Sequence, residues 1–229
     1  MSRSVISDVP VLARRSHAHP RRGACLMEFT SSLPGGRWTD RPDHVHPLLA
    51  LIGRRVNDRS SEAARMALLP WAAWLAGTAQ NDTAGLAATL AERAGAHALR
   101  YADAASARRI SARTSGLDRP WRRARLIRLA VDVVARTDRP DAALHSMLAD
   151  AVNTVRTHAG QPTVTVDVEG HPSWPQTQAC QVELRIPDGS DSAYYHCAAL
   201  PNRWPAALSL AWSARSSELG HAVPATRYL

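Results

Sequence analysis

From Pro47 to His158 the apolar residues of this 229-residue chain recur at helical spacing, and at Gly160 the period drops to two. That change of period constrains the fold more than any motif does. Residues 40–160 are expected to form a bundle of five or six helices. Asp43 is the expected cap of a helix opening at Pro47, and Ser60 or Ser61 that of the next, which Pro70 interrupts. Asp82 should cap an Ala-rich stretch that reaches about Thr114 with a break near Gly95. Asp118 and Asp138 precede two more helices, with Pro120 suited to a first turn and Gly160 as the final stop.

Beyond Gly160, "TVTVDVE" (163–169) and "CQVELRI" (180–186) alternate apolar with polar residues. The turn "PDGSD" joins the second to "SAYYHCA" (192–198), a hairpin that sets Cys180 roughly opposite Cys197. A closing helix is expected up to Gly220. The fold class expected is therefore α+β: an N-terminal helical bundle followed by a small three-stranded antiparallel sheet and a C-terminal helix. Three segments follow: a flexible basic tail over 1–23, a helical bundle over 24–136, and a helix plus β-β-β-α segment over 137–229.

Lysine is absent, so all 28 basic residues are arginine. Abundant Ala with sparse Ile and Asn points to GC-rich coding rather than to selection for Arg chemistry. The location of charge therefore says more than the net +8. Residues 1–22 hold five Arg and one Asp, and residues 100–136 hold ten Arg and three Asp, whereas 23–99 balance at seven of each. An anionic partner should dock on one of the two basic stretches. Three cysteines are too few for a disulfide framework, no stretch is apolar enough for a signal peptide or membrane span, and a cytoplasmic protein is expected.

"WTDRPDHVHP" (38–47) gathers acids and histidines at close spacing. Asp43, His44 and His46 offer metal-ligand chemistry, but a helix opening at Pro47 turns the two rings apart, and no matching histidine spacing follows elsewhere. Neither metal nor cofactor is expected. Glu28, between Met27 and Phe29, is a carboxylate in an apolar segment. If Glu28, Asp40, His44, His46 and Asp58 converged, they would supply the minimum for acid–base or metal chemistry, with Glu28, Asp40, His46 and Asp58 as catalytic candidates.

The stronger signal is the helix after Asp118. On a helical wheel Arg122, Arg125, Arg128 and Arg136 fall on one side with Asp132, and Leu126, Ile127, Ala130, Val131, Val133 and Val134 fill the opposite arc. Arg119 and Arg123 flank its start. Arg119, Arg122, Arg123, Arg125 and Arg128 are thus the expected binding residues, their guanidinium forks suited to phosphate or carboxylate oxygens on an acidic protein or a nucleic acid. Trp71 and Trp74, three apart in an apolar run, read as core or as anchors of a homo-oligomer interface.

Cys25-Leu26-Met27-Glu28, Trp38-Thr39-Asp40, His46-Pro47 and Val56-Asn57-Asp58 together resemble a segment recurrent in uncharacterised proteins of high-GC bacteria. That family carries no known activity, so the resemblance implies no catalytic residue. The expected helix-β-β-β-helix order of 138–220 is similar to double-stranded-RNA-binding domains, but their basic start of the last helix is missing, since "PNRWPAAL" supplies only Arg203. A non-catalytic adaptor using the arginine row is the first functional expectation, and an enzyme around Glu28 the second.

Overall fold

The computed structural model describes residues 11–20, 22–33, 37–81 and 85–166, with backbone pairing also at 172–173, 179–184 and 193–198. Its body is helical. Eight α-helices are found among the described residues: α1 (Leu26–Ser32), α2 (Pro47–Arg59), α3 (Glu62–Arg65), α4 (Trp71–Leu75), α5 (Leu86–Leu99), α6 (Ala104–Ser111), α7 (Pro120–Val134) and α8 (Pro140–His158). None is long and apolar enough to cross a membrane.

The α+β class is corrected by this arrangement: the protein is all-helical in its described body. The core runs from Leu12 to Val164 and is built from helices and the loops between them. Among the described residues, strand pairing beyond an isolated Leu12–Ala24 bridge comes as two separate two-stranded ladders, Thr165–Val166 with Pro172–Ser173 and Ala179–Leu184 with Ala193–Ala198. The second keeps the expected hairpin register, with Cys180 across from Cys197. Of the expected strand over 163–169, Thr165 and Val166 pair with Ser173 and Pro172, and its later residues lie outside the described residues. The expected closing helix lies outside the described residues.

Proline sets where the helices begin. Pro47, Pro120 and Pro140 each open a helix, where a missing N–H costs nothing and φ is already helical. The cap must then be the residue directly before: His46, Arg119 and Arg139, none of which caps with its side chain. Asp43, Asp118 and Asp138 sit one or more residues too far upstream, and Asp43 is fully exposed. Side-chain caps come instead from Ser61, which accepts from Ala64 N, and from Asp103, which accepts from Ser106 N at 2.6 Å. Asp103 recaps the chain after α5 ends at Leu99. No break occurs at Gly95. A Cβ there would lie 3.5 Å from Leu126 and 3.6 Å from Ile110, so the residue marks close packing of α5 on α6 and α7.

Helices α2 and α5 each pack against both α7 and α8, which makes a four-helix core; α1 and α4 cover one side of it. Trp71 and Trp74 are buried within the chain. Across α1 and α2 lies a strap, residues 11–24, tied at its base by Ala13 N to Ala24 O (2.7 Å) and Ala24 N to Val11 O (3.1 Å). Asn57, wholly buried on α2, holds the strap to α1. Its Oδ1 accepts from Leu26 N at 3.2 Å and its Nδ2 donates to Ala13 O at 2.8 Å.

Removing that amide leaves a buried donor and a buried acceptor unpaired. Asn57→Ala should lower the unfolding free energy by about 1–3 kcal/mol. It should also speed tryptic cleavage after Arg14 and Arg15 more than cleavage within α5 or α8. Urea unfolding and timed proteolysis of the two proteins check both effects; equal cleavage at every site would count against the strap's dependence on Asn57.

Candidate functional site

Glu28 is buried, and its oxygens are already engaged. It accepts from His17 N (2.5 Å), His17 Nδ1 (3.1 Å) and Cys25 N (2.7 Å), the last closing a capping box in which Cys25 Sγ accepts from Glu28 N at 3.4 Å. Asp58 Oδ1 accepts from Arg15 N at 2.7 Å on the same strap, and Trp38 Nε1 donates to His17 O at 2.8 Å. Asp40 faces Arg54, whose Nη1 donates to its carbonyl at 2.5 Å. His46 is buried at the start of α2, its N–H donating to Thr78 Oγ1 at 3.0 Å. His44 lies half-buried, 3.8 Å from the Asp43 carboxylate. Glu28 and Asp58 thus share the strap, while Asp40 and His46 make their contacts elsewhere. No group of three or more His, Cys, Asp or Glu able to hold a metal exists among the described residues.

The arginine row divides in two. Arg122 donates to Ser115 O (3.3 Å) and Arg123 to the carbonyls of Leu117 and Asp118, so both fasten the loop before α7. Arg119 stands 3.9 Å from the carboxylate of its neighbour Asp118. Arg125 and Arg128 are exposed and have no carboxylate partner among the described residues. One helical turn before Arg125 lies Trp121, 53% exposed, with the Arg122 guanidinium 5.1 Å from its ring centroid. Residues four and three apart lie within about 5–6 Å on a helix face, so Trp121, Arg125 and Arg128 make one ridge.

The ridge continues onto α2. Asp132, one turn beyond Arg128, receives Arg55 Nη2 at 2.9 and 3.1 Å and Arg59 Nη2 at 2.6 Å. A single carboxylate therefore faces two arginines from α2, with Arg128 one turn before it on α7 and Arg136 just past the end of that helix. Each of these half-exposed pairs contributes about 0–1 kcal/mol. The seam keeps a local excess of positive charge. Arg55 and Arg59 escape a reading of the α7 wheel; their i, i+4 spacing on α2 was the available signal.

A second constellation, between α5 and α8, also went unread. A groove of about 600 Å³ there contains His97, Arg100 and Asp150. His97 Nδ1 meets Asp150 Oδ2 at 2.5 Å, Arg100 Nη2 reaches the same oxygen at 3.0 Å, and Arg100 also touches the ring nitrogen. The pairing resembles the base-and-orienter arrangement of acid–base sites, but Nε2 of His97 lies 3.2 Å from Ala143 O inside the core. A general base needs that nitrogen directed at a substrate, so the geometry serves helix packing. Burial pushes the Asp150 carboxyl up, yet hydrogen bonds and charge from His97 and Arg100 outweigh it and leave its pKa lowered.

No protein-family model matches the chain, and neither curated proteins nor solved structures offer a match to it.

Two consequences are measurable. A carboxyl lowered on folding stabilises above its unfolded value, about 3.9, and that contribution is lost as pH falls through the lowered one. Because Asp150 is half-exposed, Asp150→Asn should cost no more than about 1 kcal/mol at pH 7. It should narrow the gap between urea midpoints at pH 7 and pH 3, and an unchanged gap would contradict the assignment. The Cys25 thiol, pushed up to about 12 chiefly by burial, has almost no thiolate at pH 8. Its peptide should stay unalkylated by iodoacetamide in the native protein and become modified in urea, as read by mass spectrometry.

Proposed function

We propose that the chain is a non-catalytic cytoplasmic binding protein that presents the α2–α7 seam to an acidic partner, with a single-stranded nucleic acid as the partner favoured by its chemistry. The observation that carries this reading is the juxtaposition of Trp121 with Arg125 and Arg128, all exposed on one ridge. Exposed arginines alone suit any polyanion. An exposed indole beside them adds a face on which a base can stack, worth about 1–3 kcal/mol per base in single-strand binders. Arg55 and Arg59 extend the positive surface across the seam, and Asp132 fixes their orientation. The cytoplasmic assignment is supported by Cys25, a free buried thiol in a cysteine-poor chain.

Binding of this type depends on salt, because each neutralised phosphate of a single strand releases about 0.7 of a counterion. Fluorescence anisotropy with a labelled single-stranded RNA, a DNA duplex and an acidic peptide tests the proposal across a salt series. The single strand should bind tightest and quench Trp121. Arg125→Ala/Arg128→Ala should flatten the salt slope by about 1.4, and Trp121→Ala should weaken the single strand more than the duplex. Unchanged affinity and slope in the double variant would refute the proposal, and preference for the acidic peptide would replace nucleic acid with protein.

A further inference from the structure

The α5–α8 groove carries an inference independent of the seam. Its two helices run antiparallel here, since Arg100 meets Asp150 while residues 89 and 93 line the same groove as residues 157 and 158. The polar groups along it separate into those already engaged and those left over. His97 has both ring nitrogens on oxygen atoms. Asn153 has both ends on Val164, donating to its carbonyl at 2.8 Å and accepting from its N–H at 2.6 Å. Thr154 Oγ1 donates to Asp150 O and Thr89 Oγ1 to Gly85 O. The Asp150 carboxylate is covered by two cationic or proton-bearing neighbours.

What remains is rich in donors. Arg93 is exposed, lies two turns before Arg100 on the same edge of α5, and has no partner among the described residues. Thr157 and His158 line the groove from α8, likewise without a described side-chain partner. Arg100 keeps guanidinium N–H groups beyond those it gives to Asp150 and His97. The one leftover acceptor, Asp150 Oδ1, shares a carboxylate whose charge Arg100 already offsets. A site of this size suits a small molecule, and its leftover donors suit an oxyanion.

We propose that the α5–α8 groove binds a small molecule bearing a phosphate or carboxylate group, with Arg93, Thr157 and His158 gripping the oxyanion and Arg100 closing the far end. The packed His97–Asp150 pair beneath acts as a fixed floor that holds Arg100 in place. The groove is therefore a ligand site on a different helix pair from the α2–α7 seam.

The full-length protein is titrated at low ionic strength with inorganic phosphate and, separately, with citrate, followed by backbone amide shifts and calorimetry. Saturable 1:1 binding is expected, with shifts concentrated at residues 89–100 and 150–158. The tighter of the two anions identifies the oxyanion class. Arg93→Ala, and Arg93→Gln with its longer stem, should each weaken binding about tenfold, the loss of one charge-assisted contact, without moving the melting temperature. Arg125→Ala/Arg128→Ala should leave it unchanged. Absence of saturation with either anion, undiminished affinity in both Arg93 variants, or shifts that map to α7 would each overturn the proposal.

Discussion

One buried amide organises the amino-terminal third of the fold. Asn57 has no exposed surface, so each donor and acceptor it carries must be met inside the protein. Its Oδ1 meets the first N–H of α1, which no helical carbonyl can satisfy, and its Nδ2 meets a carbonyl of the strap. Three chain segments far apart in sequence are thereby fixed at one point on α2. Glu28 repeats the device from the other side: its carboxylate takes N–H groups from His17 and Cys25 and so shapes the strap's return to α1. Arg65 completes it by donating to the carbonyls of Asn57 and Ser60, where α2 would otherwise end with unmet acceptors. Burial lowers the Arg65 pKa, and the site tolerates the charge because those carbonyls surround it.

The residues that looked most like a reaction centre are therefore those that hold the chain together. A carboxylate among apolar residues and an Asn-Asp pair read the same way in sequence whether they face a substrate or a backbone. Helical periodicity shows which face is buried, but not that a segment some forty residues upstream will lie across it. Proline placement was legible because it acts locally: Pro47, Pro120 and Pro140 each mark a first turn. The aspartates beside them misled for the same reason, since capping depends on being the one residue directly before that turn. Ser61 and Asp103 satisfy this rule, and Asp118 and Asp138 do not.

Period two after Gly160 was equally real as a pattern and insufficient as a fold. Alternation licenses a strand but cannot supply its neighbour. The register that sets Cys180 opposite Cys197 pairs two strands close in sequence and is local. A third strand demands a long-range partner, which alternation alone does not identify, and Thr165–Val166 pairs with Pro172–Ser173 instead. The seam and the groove were missed in the same sense. Each needs two helices to meet: α2 with α7 to bring Arg55 and Arg59 to Asp132, and α5 with α8 to bring His97 to Asp150.

In a chain whose every basic residue is arginine, charge by itself identifies nothing, and commitment does. The planar fork of guanidinium can close on carbonyl oxygens as readily as on carboxylates. Arg65, Arg122, Arg123 and Arg156 spend it on the backbone, Arg156 also lying 4.5 Å over the Trp74 ring. Arg55, Arg59 and Arg100 spend it on aspartates whose positions are set by helix packing. Arg93, Arg125 and Arg128 spend it on nothing among the described residues, and each stands beside a group able to share a ligand: Trp121 on the ridge, Thr157 and His158 in the groove. Ion pairs at the surface contribute little to stability, so leaving a guanidinium unpaired costs the fold almost nothing. Those three side chains are free to serve a ligand, whereas most of the other arginines named here would have to break a contact that the helices depend on.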